Sequence, residues 1–291
     1  MKISKIILSS LFLLVLLSLM TIVNKTLAPI KVVQTLAKSG VTNQVNHQFA
    51  ENFSQNFTLE ESDSSKNSNN PNWWLNSGAY FYSQDGIGRT IYGDFLPGSK
   101  WYEEYKKSDP TDTDGGRHPQ NIFRLVTKGE WKNLRQEVYF NISKDNLSQS
   151  DQRYASNGVF LMNRYTDGNN LYYAGLRVDG TAVIKKKING VYYTLDQKKV
   201  FAGEYDRNNN PSLLPHGSWI GIRSEVTTVN SNSVKISLFE DVGGGWKLVA
   251  EATDSGSAGI GVLNQTGYAG IRTDFMDVSF DNYSIADIPS R

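Results

Sequence analysis

The sequence predicts an all-β fold with antiparallel strands, and three observations support this prediction. From Trp73 onward, short segments with apolar residues on alternate positions follow one another, which is the pattern of half-buried strands. Gly, Asn or Asp occupies nearly every gap between these segments, as in "TDGNN" and "DVGGGW", and these residues mark tight turns. Beyond residue 73, no amphipathic stretch of helical period is longer than about three turns. Short strands joined by tight turns indicate one all-β domain.

The individual strands can be read in order from this alternation. They are predicted at residues 121–127, 133–143, 157–166, 170–179, 181–188, 191–195, 218–227, 233–241 and 245–253, with a final pair inside 267–285. Asp179-Gly180 and Asn189-Gly190 are signals for two-residue hairpin turns, so three of these strands form a meander. The final pair closes the fold, and a closed β-shell pairs its last segment with its first.

The chain is predicted to contain three segments. Two lysines precede an uncharged run at 6–23, a hydrophobic helix that is long for a signal-peptide core and just sufficient to cross a bilayer. Residues 1–28 are therefore a signal peptide or an uncleaved signal anchor, and both readings stay open. Residues 29–72 are rich in Asn, Ser and Gln, which predicts a disordered polar linker with a solvated His47. The β-domain is predicted at 73–288.

Composition limits the classes of partner. The chain has 30 Lys and Arg and 29 Asp and Glu, which gives a net charge of +1. This charge provides no electrostatic argument for binding to nucleic acid or to an anionic membrane surface. Cysteine is absent, which excludes disulfides, a thiolate nucleophile and a sulfur-based zinc site. We expect an extracellular protein, secreted or anchored, that meets the membrane only through its N-terminal segment.

The hairpins "NNLYYAGLRVDGTAVIKKKINGVYYTL", the strand "GSWIGIR", the hairpin "GGWKLVAEATD" and the closing "GYAGIRTDFMDVSFDNYSI" resemble the concanavalin A-like lectin/glucanase superfamily. The similarity is to its laminin-G-like and keto-disaccharide-hydrolase-like branches and covers roughly residues 75–287. The resemblance implies a two-sheet antiparallel jelly-roll sandwich. It also implies a concave face that often receives a glycan, and sometimes a calcium ion at the rim.

Alternation assigns faces to the strands, because residues two apart share a face. Val138, Phe140 and Ile142 form one apolar face, and polar residues occupy the other. Arg, Glu and Asn bind hydroxyl and carboxylate groups, while Tyr and Trp stack on sugar rings. The predicted glycan-binding residues are Arg135, Glu137, Asn141, Arg177, Trp219 and Arg223. The alternative is an ordinary solvated face, on which Arg and Glu pair across strands for ~0.2–1 kcal/mol.

Three kinds of enzyme have residue requirements that this sequence meets to different extents. A retaining glucanase needs two carboxylates about 5–5.5 Å apart, and the strand motif E-x-D-x-x-E or E-x-D-x-E is absent, with Glu103 and Glu104 in an expected loop. The chain contains neither the G-x-S-x-G motif of serine hydrolases nor the H-E-x-x-H motif of zinc hydrolases. A polysaccharide lyase stays open.

The lyase reading depends on a partial similarity to alginate lyases. "RQEVY" at 135–139 is similar to their R-x-E-[LV]-R strand, and "YYAGLR" at 172–177 is similar to Y-x-K-A-G-x-Y. Arg177 stands where the family has its catalytic tyrosine, Tyr139 replaces the second arginine, and no Q-[IV]-H strand exists. If the protein is a lyase, Tyr139 or Tyr173 with His118 would carry β-elimination on a uronate.

Two charged stretches each allow a structural and a functional interpretation. "DPTDTDGG" offers Asp109, Asp112 and Asp114 as calcium ligands, although a solvated turn is the favoured interpretation. "KKK" at 185–187 is interpreted as an exposed strand edge that discourages aggregation rather than as a polyanion site. No cofactor is required by the sequence, and calcium stays open.

The sequence therefore favours an exported carbohydrate-recognition module whose partner is a polysaccharide or cell-surface glycan. A uronate lyase and a cell-surface adhesion module are the alternatives.

Overall fold

The structure, a computed structural model, describes residues 47–289. The predicted signal peptide or anchor at 1–28 and the first part of the predicted linker lie outside the described residues. Within the described part of the chain, no helix is long and apolar enough to cross a membrane.

Two antiparallel sheets form the structure. The nine-stranded sheet contains β1 (Gln48–Glu51), β2 (Phe57–Glu60), β4 (Tyr80–Gln84), β5 (Ile87–Arg89), β7 (Leu134–Asp145), β12 (Ile220–Asn230), β13 (Ser233–Asp241), β14 (Lys247–Asp254) and β16 (Met276–Asp287). Its order is β14-β13-β12-β7-β16-β5-β4-β2, and β1 also pairs with β16.

The seven-stranded sheet has the order β11-β10-β9-β8-β15-β6-β3. Its strands are β3 (Trp73–Ser77), β6 (Ile122–Trp131), β8 (Gly158–Asp167), β9 (Asn170–Arg177), β10 (Thr181–Ile188), β11 (Val191–Lys199) and β15 (Gly267–Asp274). Apolar side chains of both sheets, such as Phe140 and Tyr172, share one buried cluster. The predicted all-β sandwich of two antiparallel sheets is confirmed, and the arrangement is consistent with a jelly roll.

The predicted strand pairings and faces are also found. The last strand, β16, pairs with the first described strand, β1. Asn189 and Gly190 both have positive φ, 51° and 82°, as a two-residue hairpin turn requires. Val138 and Phe140 are fully buried, so the inward face of β7 is the predicted one.

The predicted linker is wrong over its second half. Residues 48–60 form β1 and β2, and Phe53 and Leu59 are fully buried. His47, expected to be solvated, stacks on Trp131 with ring centroids 4.0 Å apart. A few large apolar side chains among many polar ones suffice to hold this segment against the sandwich, because each fully buried Phe or Leu side chain contributes about 1.5–3 kcal/mol.

One helix interrupts the β-structure. The helix α1 (Lys100–Ser108) lies between β5 and β6, and a 3₁₀ turn at Pro119–Asn121 leads into β6. Glu103 and Glu104, expected in a loop, therefore lie in α1. Tyr105 anchors the helix: its buried hydroxyl donates to Glu61 and accepts from the Gly78 N–H at 2.8 Å.

Candidate functional site

Two neighbouring cavities open on the outer face of the seven-stranded sheet. The first, here the Lys185 cavity, has a volume of about 220 Å³ and is lined by Tyr154, Phe160, Tyr173, Lys185, Tyr192 and Arg272, among others. The second, the Lys187 cavity, has about 170 Å³ and includes Arg124, Lys187 and Asp109. Tyr173, Tyr192 and Arg272 line both. These three side chains therefore separate the two cavities.

A glycine explains why the sheet leaves space here. In register, Arg272 on β15 pairs with Phe160 on β8, Phe160 pairs with Gly175 on β9, and Gly175 pairs with Val183 on β10. Gly175 adds no side chain to this row. A Cβ at this position would lie 2.2 Å from the carbonyl oxygen of Val159, so no larger residue fits without moving the backbone.

Arg272 is held rigidly in the floor between the cavities. Its guanidinium pairs with Asp274 at 2.8 Å and donates to the hydroxyl oxygens of Tyr173 at 2.9 Å and Tyr192 at 3.1 Å. The Tyr173 and Tyr192 rings stack with centroids 6.0 Å apart. Because planar guanidinium donors are fixed in direction, this arrangement presents an oriented cation to a ligand.

Two lysines complete the walls. Among residues 47–289, the Lys185 ammonium has neither a hydrogen bond nor an ion pair, and it lies 5.9 Å from the centroid of the Tyr192 ring. Burial, together with the nearby Arg177, lowers the pKa of Lys185. Lys187 lies 4.7 Å from the same ring centroid and donates to the carbonyl of Gly168 at 2.8 Å. Tyr192 thus stands between two ammonium groups.

The two central tyrosines differ in acidity. Burial raises the pKa of Tyr173 to about 12. Burial also acts to raise the pKa of Tyr192, but Arg272 and Lys187 stabilise its phenolate, and the net effect lowers the pKa of Tyr192 below its usual value. Tyr192 is therefore the more readily deprotonated of the two hydroxyls.

Most of the predicted binding residues lie on the other sheet. Arg135 pairs with Glu225 at 2.7 Å, and Arg223 pairs with Glu137, each between β7 and β12 on the outer face of the nine-stranded sheet. Asn141 lies farther along β7, opposite Ser279 of β16. The Arg and Glu side chains are thus satisfied by one another, which is what the alternative reading of a solvated face predicts.

Aromatic side chains share this face. Tyr139 donates to Asp241 at 2.8 Å, and burial, with that hydrogen bond, raises the pKa of Tyr139 to about 12. Trp246 was not predicted from the sequence, and its ring centroid lies 4.1 Å from the guanidinium carbon of Arg223. Trp219, just before β12, is 40% exposed.

The structure does not bring Tyr139, Tyr173 and His118 together. Tyr139 and Tyr173 lie on different sheets, and His118 lies in a loop, with its ring nitrogens 2.7 Å and 2.9 Å from Asp114 and Asp94. Arg177 belongs to the same sheet as Tyr173 but pairs with Asp179 at 2.6 Å. Of the lyase candidates, Tyr173 alone lines the cavities.

The aspartates suggested for calcium are occupied by separate partners. Asp112 accepts from Ser150, Asp114 accepts from Ser148 at 2.6 Å, and Asp109 lines the Lys187 cavity. Within the described part of the chain, no three His, Asp or Glu side chains are placed to hold a metal ion together. Calcium binding by this loop stays a prediction.

The interpretation of the lysine run as an exposed edge is wrong. β10 lies between β9 and β11 and is an interior strand. Lys186 faces the core, is fully buried and pairs with Asp254, while Lys185 and Lys187 face the cavities. The sequence contained an indication of this arrangement, because three consecutive lysines in a strand place the first and the third on one face and the second on the other.

No known protein family matches the chain by sequence, and no curated protein matches it. In fold it is similar to a carbohydrate-binding module, CBM66, of Bacillus subtilis (16% identity, 58% of this chain, 84% of that chain, TM-score 0.40). It is also similar to a lichenase from a mouse hindgut metagenome (11% identity, 82% and 98%, TM-score 0.41) and to lectin II from Ulex europaeus (8% identity, 80% and 99%, TM-score 0.41). All three identities lie below 25% and all three TM-scores below 0.5, so these similarities assign no family and the concanavalin A-like resemblance stays a prediction.

Proposed function

We propose that the protein binds carbohydrate in the two cavities of the seven-stranded sheet. The observation that carries the proposal is the combination of open aromatic walls with fixed polar groups. Tyr154 and Tyr192 are each 46% exposed, and Arg272 between the cavities is held by three partners. Sugar rings offer C–H faces that pack on aromatic rings and hydroxyls that accept from such donors.

The chemistry of the lining fits a sugar better than an apolar ligand. Tyrosines present an apolar ring and a hydroxyl at once, and a glycan presents the same two characters. The cavities are open to solvent along the sheet, so a chain of several sugars would fit without its ends being enclosed. The bound polymer would run across β10 and β9 towards β15.

Binding of a panel of polysaccharides, measured by calorimetry and affinity electrophoresis, tests this proposal. The wild-type protein is expected to bind at least one glycan, and Tyr192→Ala is expected to weaken that binding about tenfold, because it removes one stacking wall. Trp219→Ala removes an exposed aromatic residue from the other sheet and serves as the matched control. Glycan binding that is insensitive to Tyr192→Ala would contradict the proposed site, and no binding at all would favour an adhesion module that binds protein.

Elimination on a sugar acid is a second candidate function, favoured by Tyr192. Its lowered pKa makes its phenolate a candidate base in the cavity wall, and Arg272 could neutralise a carboxylate so that the neighbouring C–H becomes acidic. Tyr192 would accept the proton, the electron pair of the broken C–H bond would form the C=C bond as the neighbouring C–O bond breaks, and the Tyr192 hydroxyl would return the proton to the leaving oxygen, which leaves an unsaturated sugar. Ultraviolet absorbance of that product, present in the wild type and absent in Tyr192→Phe, would establish a lyase; silence in both would leave a binding module.

We also propose that the protein is exported, either released or held by its N-terminal hydrophobic run. Expression of the full chain with a C-terminal tag tests this: tagged protein outside the cell or in the membrane fraction is expected. Tagged protein confined to the cytosol would contradict export.

A further inference from the structure

The cavities carry more positive than negative charge, although the whole chain is almost neutral. Four cations line the two cavities, namely Arg124, Lys185, Lys187 and Arg272, against two carboxylates, Asp109 and Asp274. Asp274 is already paired with Arg272. The surplus of cations is therefore local and is placed where a ligand would lie.

Lys185 is the cavity cation that an anionic ligand would stabilise most. It is partly buried in the wall of its cavity, and no acceptor lies within hydrogen-bonding distance among residues 47–289. Asp274 and Tyr192 are near, but Arg177 and Arg272 are near as well. A partly desolvated ammonium without an acceptor is costly, and an incoming carboxylate or sulfate would remove that cost.

The Lys187 cavity repeats the pattern with other residues. Arg124 donates to the Ser77 hydroxyl at 3.0 Å, and Lys187 donates to a backbone carbonyl. Neither has a carboxylate within salt-bridge distance in the described ranges. Asp109 supplies the carboxylate of this cavity, and burial raises the pKa of Asp109, with Asp112 adding to the effect. A second anion would be attracted here for the same reason as in the first cavity.

We infer that the two cavities are neighbouring anion subsites that hold the acidic groups of consecutive sugars in a polyanionic glycan. This inference rests on the proposed function and names the class of carbohydrate. Arg272, which lines both cavities, lies between the two acidic groups, Lys185 binds one, and Lys187 with Arg124 binds the other. The carboxylate of a uronate and the sulfate of a sulfated sugar share the chemistry that these cations recognise.

Matched ligands separate charge from sugar recognition. Polygalacturonate is compared with its methyl ester, and dextran sulfate with dextran, because each pair differs in charge and keeps the sugar backbone. At least one charged member is expected to bind about tenfold or more tightly than its neutral partner. Its affinity should fall as salt is raised from about 0.05 to 0.5 M, since screening weakens exposed charge pairs. The pair that responds tells whether carboxylate or sulfate is the anion.

Variants assign the subsites. Lys185→Gln and Lys187→Gln are each expected to weaken binding of the charged glycan about tenfold and to leave the melting temperature near that of the wild type. Lys247→Gln, which removes an exposed lysine of β14 on the other sheet, is the matched control and should leave affinity unchanged. A charged trisaccharide should bind more tightly than the monosaccharide, because only the longer ligand reaches both subsites.

The outcomes are distinguishable. If the neutral partners bind as tightly as the charged ones and Lys185→Gln changes nothing, the anion subsites are wrong while carbohydrate binding stands. If no glycan binds, both proposals fail. If a DNA oligonucleotide binds as tightly as the charged glycan, with the same dependence on Lys185, the cavities recognise charge without sugar, and the glycan inference is overturned.

Discussion

Lys186 is fully buried in the core, whereas its neighbours Lys185 and Lys187 are partly exposed on the opposite face of the sheet. Its side chain and that of Asp254 are both fully buried, with Nζ 2.9 Å from the carboxylate, and the Tyr172 hydroxyl donates to the same carboxylate at 2.7 Å. Every charge in this group is paired in the interior. Removing one member leaves the other charged and without its partner in a medium of low dielectric constant.

Lys186→Met is therefore expected to lower the free energy of unfolding by about 3–5 kcal/mol, measured by urea denaturation. The double variant Lys186→Met/Asp254→Asn should recover part of that loss, because it removes the uncompensated carboxylate. A loss below about 1 kcal/mol in the single variant, as for an exposed pair, would contradict the burial of this ion pair.

His216 gives a prediction about pH. Its Nε2 lies 3.1 Å from Asp145, and this hydrogen bond, opposed by burial, raises the pKa of His216 above 6.5. A raised pKa in the folded state means that protonation stabilises the fold; the stabilisation is complete below about pH 6.5 and is lost as the pH rises through the folded-state pKa.

His216→Gln is expected to lower the free energy of unfolding by about 0.5 kcal/mol near pH 5.5, since the pair is half-exposed, and by less near pH 8.5. Urea denaturation at both pH values measures the difference. Asp145→Asn should show the same pH dependence; an equal loss at both pH values for His216→Gln would argue against the ion pair.

At the residue scale, the sequence predicted correctly which face of a strand a side chain occupies, but it did not predict the ion-pair partner of that side chain. The alternation in β7 placed Val138 and Phe140 inward, because a strand has only two faces. It could not tell that Arg135 and Arg223 are paired with glutamates or that Lys185 is unpaired. Those facts depend on which strand lies beside which, and one sequence does not contain the register.

At the scale of elements, the short strands were missed. β1, β2 and β5 have three or four residues each, which is too few for a periodicity to be recognised. The surroundings of β1 and β2 are rich in Asn and Ser, which is typical of linkers. The long strands from β6 onward were predicted within a few residues, because their alternation is sustained and their turns contain Gly, Asn or Asp.

Phe53→Ala tests whether the segment before Trp73 belongs to the core. Phe53 is fully buried, with its ring centroid 5.6 Å from that of Phe81, so its truncation is expected to cost about 3–5 kcal/mol of unfolding free energy. Gln55→Ala, an exposed position in the same segment, is the control and should stay within about 0.5 kcal/mol of the wild type. Equal stability of the two variants would restore the linker interpretation.

At the scale of the whole molecule, the outer faces of the two sheets differ in how their charged side chains are paired. On the nine-stranded sheet the charged groups of β7 and β12 pair with one another, whereas on the seven-stranded sheet cations face open cavities. Sequence reasoning found Tyr173 on the second face and missed Lys185, Lys187, Tyr192 and Arg272. Tyr173, the two lysines and Tyr192 lie on the consecutive strands β9, β10 and β11, and Arg272 joins them from the distant strand β15, so no single segment contains the whole pattern.

Arg223→Ala distinguishes the two faces. It breaks the pair with Glu137 and uncovers Trp246, so we expect a loss of about 1 kcal/mol in unfolding free energy and a glycan affinity within about twofold of the wild type. Urea denaturation and calorimetry on the same preparation measure both quantities. A large loss of affinity with little loss of stability would move the binding site to the nine-stranded sheet.

The pairing of β1 with β16 has a consequence for engineering. Gln48 lies opposite Ala286, and the Asp287 N–H donates to the His47 carbonyl at 2.9 Å. The two ends of the sandwich are thus adjacent in space, and a few glycines would join them covalently. With new ends cut at the exposed turn between Gly243 and Gly244, the domain becomes a circular permutant whose cavities are untouched, because chain termini tolerate relocation to such turns.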